Sequence, residues 1–367
     1  MVNGFQVGAV ASGLKKTGDL DLGLIFSKDS AAVAGVFTTN QVKAAPVVIT
    51  RERVKSGACQ AIVVNSGNAN CCTGDQGMAD AEAMTKMAAD ALNIPESDVL
   101  VASTGVIGKP MDTSKIESAM PGLISALSGD GWPDFAKAIM TTDTVPKIVT
   151  RELNIGDAAC TITGIAKGAG MIRPDMATML CFVCTDAAVA PEILQALLKT
   201  ANAESFNRIT IDGDTSTNDT VLLLANGQSK VLISDQKSIE QFQAVLTEVL
   251  VTLAKMIVKD GEGATKFVAI EVTGADSVAA ARTVADTVAN SSLVKTALFG
   301  EDANWGRIMA AVGRSGVPIK PEAIDIYFDQ VKMVDKGQGT GEEADAAATK
   351  VIRQPEFKIT IDLNAGS

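Results

Sequence analysis

The stretch that decides the fold runs from Lys167 to Asp186 and reads KGAGMIRPDMATMLCFVCTD. Its first half holds a flexible Lys-Gly-Ala-Gly loop and a turn signal at Pro174. Its second half, from Thr178 to Thr185, is apolar and β-branched enough to predict a buried strand. Thr178 therefore stands where a loop enters a core strand. A threonine there commonly begins a strand and does nothing more; the alternative is a nucleophile held at the rim of a sheet.

The composition limits the classes of protein to consider. The chain has 367 residues, of which 47% are apolar and 20% are charged, as is typical of a globular protein with two domains or one large α/β unit. The net charge of −11 argues against nucleic acid or an anionic membrane surface as a partner, since phosphate groups would be repelled.

The chain contains no histidine, and this restricts its chemistry more than any other feature. Ser-His-Asp and Cys-His nucleophile systems are excluded within the chain, and so are zinc sites built on histidine. Acid–base work must fall to carboxylates, lysines, cysteines, the one tyrosine or a terminal amine. A free N-terminal amine titrates at a pH of about 7.7–8.0 and is a natural substitute base.

Segments that target or anchor a chain are not predicted. The most apolar long run, Ala244 to Val258, is short and contains Glu248 and Lys255, so we expect no membrane span. The N-terminus lacks a basic start and an apolar core, which argues against a secretory signal. The six cysteines do not form a framework, and we expect reduced thiols in the cytoplasm.

Strand and helix patterns alternate along the chain. Gln76 to Leu92 and Lys237 to Val258 have the spacing of amphipathic helices. Leu20 to Ser27 and Ala31 to Thr38 are predicted as a hairpin, and Asn207 to Ile211 as a strand. This alternation predicts an α/β fold of the layered α+β kind with mixed sheets.

Three glycine-containing loops are candidates for chemistry. Thr104 and Gly105 follow a predicted strand, where backbone N–H groups can face a developing oxyanion, although turns of this kind are common. The acidic run from Asp212 to Asp219 lacks the spacing of a calcium loop. The run from Lys259 to Lys266 lacks the spacing of a phosphate loop. We therefore predict no metal site and no resident cofactor.

Several separated stretches point the same way. The sequence resembles the bacterial ornithine acetyltransferases, or glutamate N-acetyltransferases, of arginine biosynthesis. The matching motifs are GVFTTNQVKAAPV from Gly35, VNSGNANCCTG from Val64, STGVIG from Ser103, MTTDTVPK from Met140, KGAGMIRPDMATML from Lys167, NRITIDGDTSTNDT from Asn207, KDGEGATK from Lys259 and GEDANWGRI from Gly300.

The resemblance implies a precursor that cuts itself between Ala177 and Thr178. An α chain of residues 1–177 and a β chain of residues 178–367 would result, assembled as an α2β2 heterotetramer. It also implies two mixed β-sheets between helices, the fold shared with the aminopeptidase DmpA.

The implied activity transfers an acetyl group from N2-acetyl-L-ornithine to L-glutamate. The Thr178 hydroxyl would attack the Ala177 carbonyl, and the freed amine would then activate the same hydroxyl. Acetyl-Thr178 would carry the group between half-reactions, which predicts ping-pong kinetics. Whether acetyl-CoA is an additional co-substrate stays open.

The family's site residues carry over to positions in this chain. Thr104 and Gly105 correspond to its oxyanion hole. Its substrate contacts correspond to Thr178, to Lys167, to Glu262 and to a threonine of the TTDT motif. For that last position we favour Thr144, with Thr142 as the alternative. Taken without the resemblance, Lys167 would be a solvated loop lysine and Glu262 a loop carboxylate.

The resemblance also implies a tail after the strand Ile359 to Leu363 that supplies an asparagine and a hydroxyl residue to the site. This sequence ends at Asn364-Ala365-Gly366-Ser367, and Asn364 is not expected to be that asparagine.

Three other functions are alternatives. An aminopeptidase or amidase with an N-terminal nucleophile would share the chemistry of Thr178 but pass the acyl group to water. A redox or metal role would rest on Cys181 and Cys184, which as residues three apart on a strand should point to opposite faces. A chain that cuts itself but transfers nothing is the third.

Overall fold

The computed structural model describes residues 2–173 and 179–366. Ala177 and Thr178 therefore lie outside the described residues. The chain divides into two compact units, Met1–Glu262 and Gly263–Ser367. The unit boundary is distinct from the predicted cleavage site, which falls inside the first unit.

The first unit is built on an eight-stranded mixed sheet with the order β4-β3-β2-β9-β7-β6-β5, and β1 also pairs with β2. A small parallel sheet joins β10 to β8. The strands are β1 Phe5–Val10, β2 Leu22–Phe37, β3 Ala58–Asn68, β4 Val99–Val106, β5 Lys147–Ile155, β6 Ala158–Lys167, β7 Leu180–Thr185, β8 Ala188–Val189, β9 Thr220–Ala225 and β10 Leu232–Ile233. The helices are α1 Ala45–Arg53, α2 Gly74–Leu92, α3 Thr113–Ser125, α4 Trp132–Ala138, α5 Pro191–Glu204 and α6 Gln236–Lys259.

The central strands are buried on both faces. Every residue of β7 and of β9 is buried, which explains why β7 is apolar throughout instead of alternating. The α5 and α6 helices cover one face of the central strands, and α4 packs on the opposite face. The α2 and α3 helices pack on the face of β3 that points away from α4, because Ala61 and Val63 belong to their cluster whereas Ile62 and Val64 belong to that of α4. Cys181 belongs to the core on the first face and Cys184 to the core on the second, so the predicted opposition of these thiols is confirmed.

The predicted long helix is confirmed as α6. Among the described residues it is the one helix long and apolar enough to cross a membrane by length and composition. Its apolar side, which includes Phe242, Leu246 and Leu253, is buried in the core against the sheet. A core helix reaches the same hydropathy for this reason.

The predicted hairpin between Leu20 and Thr38 is wrong. The structure has one 16-residue strand, β2, across both predicted strands. Its pairing with β3 shifts register between Phe26 and Ala31, and its second half also pairs with β9. The exposed residues Lys28 to Ser30 lie at this irregularity. A polar run in the middle of a strand thus marks a bulge as well as it marks a turn.

The strand predicted from Asn207 to Ile211 is also wrong. Phe206–Arg208 forms one turn of 3-10 helix, and residues 209–219 have no strand. The Ile211 N–H donates to the Ile172 carbonyl oxygen at 2.8 Å, so this apolar run holds the loop before the predicted cleavage site. The strand propensity of these residues was overridden by their tertiary contacts.

The second unit is a five-stranded mixed sheet with the order β11-β15-β12-β13-β14 and helices on one face. Phe357, Ile359 and Ile361 of β15 point into its core, whereas the residues between them, such as Lys358, are more exposed. The elements are β11 Phe267–Thr273, α7 Val278–Ala289, α8 Ser292–Phe299, α9 Trp305–Gly313, β12 Asp325–Phe328, β13 Val331–Asp335, β14 Gln338–Gly339, α10 Glu342–Ile352 and β15 Glu356–Asp362. The prediction of a layered α/β fold with two mixed sheets is confirmed.

Candidate active site

A cavity of about 1250 Å³ opens in the first unit, at the ends of β3, β4 and β6. Five residues singled out from the sequence contribute to its wall: Thr104, Gly105, Thr142, Lys167 and Glu262. They come from distant parts of the chain. The tertiary structure thus brings most of the predicted site residues to one place.

The paired ends of β3 and β4 form one side of the cavity. The two strands are parallel, and Gly67 stands opposite Gly105. Gly105 has a φ of +137°, and a Cβ on it would lie 2.4 Å from the backbone carbon of Gly67. Only glycine fits this close approach of two backbones. The Thr104-Gly105 corner is therefore held rigidly where the cavity begins.

Lys167 ends β6 and is almost completely buried. Its Nζ donates to Thr141 Oγ1 at 2.7 Å and to Thr104 Oγ1 at 3.3 Å. Burial lowers the pKa of Lys167, and the carboxylate of Asp143 partly opposes that effect. The solvated loop lysine considered from sequence is not what the structure shows.

Asp143 organises the backbone around Lys167. Its Oδ1 accepts from the Gly168 N–H at 2.7 Å, and its Oδ2 accepts from the Thr141 N–H at 3.1 Å. Burial alone would raise the pKa of Asp143, but the charges of Lys167 and Lys147 hold that pKa below its ordinary value. Asp143 is thus a buried carboxylate that stays ionised.

The TTDT threonines have different surroundings. The Thr144 N–H and hydroxyl both donate to the carboxylate of Asp260, and Thr144 is not among the residues that line the cavity. Thr141 and Thr142 do line it. Thr142, the alternative, therefore lies on the cavity wall, whereas Thr144 is turned to Asp260. The sequence motif could not separate them, because Asp260 is 116 residues away from Thr144.

Two carboxylates stand on the wall near Gly170. Glu262 follows α6, and its N–H donates to the Ala169 carbonyl oxygen at 2.7 Å. Asp212 accepts from the Met171 N–H at 2.6 Å and also lines the cavity. Sequence reasoning missed Asp212, although the acidic loop that carries it was noted.

Asp219 is a second residue that was missed. It is fully buried, and its Oδ1 accepts from the Met179 N–H at 3.0 Å. Its Oδ2 has no hydrogen-bond partner within residues 2–173 and 179–366. Burial raises the pKa of Asp219 well above its ordinary value. Met179 directly follows Thr178 in the sequence, so Asp219 binds the backbone of the residue after the predicted nucleophile.

Nearly the whole chain matches one known protein family. The sequence pattern of the ArgJ family matches residues 6–367.

The chain belongs to the ArgJ family.

Curated ArgJ relatives match over the same length. The chain is 53% identical over 367 residues to the arginine biosynthesis bifunctional protein ArgJ of Geobacter sulfurreducens, covering all of this chain and 93% of that protein. It is 54% identical over 368 residues to the protein of the same name from Syntrophotalea carbinolica, again covering all of this chain and 93% of the relative.

Among solved structures, the chain is 41% identical to an ornithine acetyltransferase from Mycobacterium tuberculosis complexed with ornithine. That match covers 47% of this chain and 92% of the solved chain, with a TM-score of 0.45. The family match over residues 6–367 and the identity to the two curated relatives confirm the resemblance inferred from the eight motifs at the level of the ArgJ family.

Proposed function

We propose that this chain is a glutamate N-acetyltransferase that moves an acetyl group from N2-acetyl-L-ornithine to L-glutamate in arginine biosynthesis. The observation that carries the proposal is the shared cavity of Thr104, Gly105, Lys167 and Glu262 in a chain that matches the ArgJ family over residues 6–367. The family supplies the reaction, and the cavity supplies groups suited to each part of the substrate.

The Thr178 hydroxyl is the proposed nucleophile. It attacks the acetyl carbonyl carbon, the C–N bond to ornithine breaks, and the ornithine amine leaves with a proton. The α-amine of Thr178 serves as the base, since the sequence contains no histidine. In the second half-reaction the glutamate amine attacks acetyl-Thr178 and releases the free hydroxyl.

The corner at Thr104 and Gly105 is the proposed oxyanion hole. A tetrahedral intermediate carries negative charge on the former carbonyl oxygen, and fixed donors stabilise it without reorganisation. The steric fit of Gly105 against Gly67 supports this role, because it holds the corner rigid.

The two charged groups on the wall suit the two ends of acetylornithine. The Lys167 ammonium is placed to pair with the α-carboxylate. Glu262, together with Asp212, would pair with the side-chain ammonium; all three residues line the cavity. A substrate contact from Thr142 would complete the set.

The position of the scissile bond also supports self-cleavage. Residues 168–179 connect β6 to β7, which are adjacent antiparallel strands from Ile162↔Thr185 to Lys167↔Leu180. A cut between Ala177 and Thr178 leaves this pairing intact, so the α and β fragments would stay in one sheet. An α2β2 assembly and a place in the cytoplasm remain part of the proposal, and the six free thiols fit a reducing compartment.

Acetyl-CoA is proposed as a second acetyl donor. The name bifunctional protein, which both curated relatives carry, motivates the idea. Lys15, Lys16, Lys109 and Lys115 line the wall formed by residues 14–20 and 109–115. A lysine-rich wall suits the phosphate groups of coenzyme A.

The test is intact mass spectrometry together with an acetyl-transfer assay. The wild-type chain should give two fragments that divide between Ala177 and Thr178, whereas Thr178→Ala should stay uncut. Incubation with N2-acetylornithine alone should add one acetyl group to the fragment that begins with Thr178. Release of acetate independent of glutamate would instead support the amidase alternative.

A further inference from the structure

Behind the cavity wall, buried charged side chains alternate in sign. Lys167 Nζ lies 3.9 Å from Asp143 Oδ2, and Lys147 Nζ donates to Asp143 Oδ1 at 2.8 Å. The same Lys147 ammonium donates to Asp260 Oδ2 at 2.6 Å. Lys167 and Asp143 line the cavity, whereas Lys147 and Asp260 do not. These four residues, Lys167, Asp143, Lys147 and Asp260, form a row of buried charges that runs from the cavity into the protein.

The sheet sets the geometry of this row. Lys147 is the first residue of β5 and Lys167 the last of β6, and these strands pair antiparallel with Lys147 opposite Ala166. The side chain of Lys147 is 0% exposed. Asp260 follows α6 and reaches the row from a different layer. Lys147 on β5 thus joins Asp143, in the loop before that strand, to Asp260, which follows α6.

Asp143 lies between two lysines and is closer to one of them. Its nearer lysine is Lys147, at 2.8 Å, and Lys167 stays 3.9 Å away. Lys167 instead directs its hydrogen bonds to Thr141 and Thr104 on the cavity wall. Without Lys147, Asp143 would keep its bonds from the Thr141 and Gly168 N–H groups but lose its nearer ammonium, and its buried charge would pull more strongly on Lys167. Lys167 would then be drawn away from the wall.

We propose that Lys147 and Asp260 are positioning residues for the reaction: they hold Asp143 from behind, so that the Lys167 ammonium points at Thr104 and Thr141 and meets the substrate carboxylate. This inference rests on the proposed function for the role of Lys167. The geometry of the row stands independently of it.

The row also sets the charge balance at Lys167. After burial, which lowers the pKa of Lys167, the charged groups that act on it are Asp143, Lys147, Asp219 and Glu262. The three carboxyl groups raise that pKa and Lys147 lowers it. Removal of the positive charge on Lys147 should therefore move the titration of Lys167 to higher pH.

The test uses two variants and a control. Lys147→Met removes the charge and keeps most of the length, but it leaves Asp260 buried without its lysine and could fail to fold for that reason. The double variant Lys147→Met/Asp260→Asn removes one charge of each sign and avoids that cost. Lys86→Met is the control, since it breaks an exposed pair with Asp90 in the same unit.

Activity is measured as kcat/KM for N2-acetylornithine between pH 6 and pH 10, with the melting temperature recorded for each variant. The double variant should melt close to the wild type and lose about 10²-fold in kcat/KM, as displaced binding groups do. Its alkaline limb should move to higher pH. Lys86→Met should match the wild type. A folded double variant with wild-type kcat/KM and an unmoved limb would overturn the proposal.

A second readout separates this inference from the proposed function. The Lys167 ammonium is followed by NMR of protein labelled with 15Nζ-lysine, and its signal is assigned with Lys167→Met. The titration midpoint should be higher in the double variant than in the wild type. If the wild type transfers no acetyl group, the proposed function fails, and the midpoint still decides the inference: an unmoved midpoint overturns it.

Discussion

The carboxylate of Glu262 occupies the space in which a side chain on Gly170 would begin. Its Oε1 lies 2.7 Å from the position of a Cβ on Gly170, and its Cδ lies 2.9 Å away. The backbone of Gly170 is not in the left-handed region, so nothing but this contact requires glycine. The loop from Lys167 to Gly170 and the side chain of Glu262 are therefore fitted to each other at the cavity wall.

Gly170→Ala should displace the Glu262 carboxylate and leave the fold intact, because the contacted atoms belong to a flexible side chain. We expect KM for N2-acetylornithine to rise about tenfold, which corresponds to about 1.4 kcal/mol of lost binding. The melting temperature should change by only a few degrees. Steady-state kinetics and thermal unfolding measure the two effects.

The matched control is Gly122→Ala. A Cβ there meets only Val10 Cγ1, at 3.9 Å, within α3. Both its KM and its melting temperature should stay close to those of the wild type. An unchanged KM in Gly170→Ala would show that Glu262 does not bind the substrate.

Gly105→Ala should destabilise the first unit strongly. The added Cβ would meet the backbone of Gly67 at 2.4 Å, and the φ of +137° is unfavourable for alanine. We expect the free energy of unfolding to fall by about 3 kcal/mol. Gly108→Ala is the control, since Gly108 has a φ of +78° but nothing within 4 Å. It should lose about 1 kcal/mol, so equal losses in urea titrations would contradict the steric account.

Thr142→Val should impair substrate binding, whereas Thr144→Val should lower stability. Thr142 lines the cavity, so its loss should raise KM and leave the melting temperature unchanged. Thr144 donates to Asp260, so its loss should lower the free energy of unfolding by about 1–2 kcal/mol. Kinetics and denaturant unfolding on the same pair of variants decide which threonine serves the substrate. The reverse pattern would restore Thr144 as the substrate contact.

The pH dependence of acetyl transfer should be bell-shaped. The rise belongs to the α-amine of Thr178, which must lose its proton to act as a base and ordinarily titrates at about 7.7–8.0. The fall belongs to Lys167, whose pKa burial lowers from the ordinary lysine value, so the ammonium is lost at a lower pH than usual. Rates between pH 6 and pH 10 measure both limbs. In Lys167→Arg the alkaline fall should disappear, since arginine keeps its charge.

Asp219→Asn should change how stability depends on pH. The pKa of Asp219 is raised in the folded state, so its contribution to stability is present below its unfolded pKa of about 3.9 and is lost as pH rises through the folded value. Asparagine does not titrate and can still accept from the Met179 N–H. The variant should therefore gain on the wild type in free energy of unfolding between pH 4 and pH 8.

Urea unfolding at several pH values measures this gain, which amounts to about 1.4 kcal/mol for each pH unit between the two pKa values. The exposed Asp157 provides the control, and Asp157→Asn should follow the wild-type curve in parallel. Parallel curves for Asp219→Asn would refute the raised pKa.

Local patterns predicted the elements that are long and regular. The helices α2 and α6 begin and end within two residues of the predicted positions, because an amphipathic stripe repeats over several turns. Two predictions were wrong: the hairpin between Leu20 and Thr38, and the strand from Asn207 to Ile211. Each prediction rested on short runs of residues. Pairing with β3 and β9 decided the first, and the contact with Ile172 decided the second.

By itself the sequence limited the chemistry: without histidine, a base must come from elsewhere, and the motifs predict a nucleophilic hydroxyl and a cleavage site at Thr178. Only the tertiary structure decided which groups meet. Lys147 and Asp260 are 113 residues apart, and neither the buried row of charges nor the difference between Thr142 and Thr144 leaves a local pattern. The physical reason is that burial and charge pairing depend on distance in space, which a sequence period does not encode.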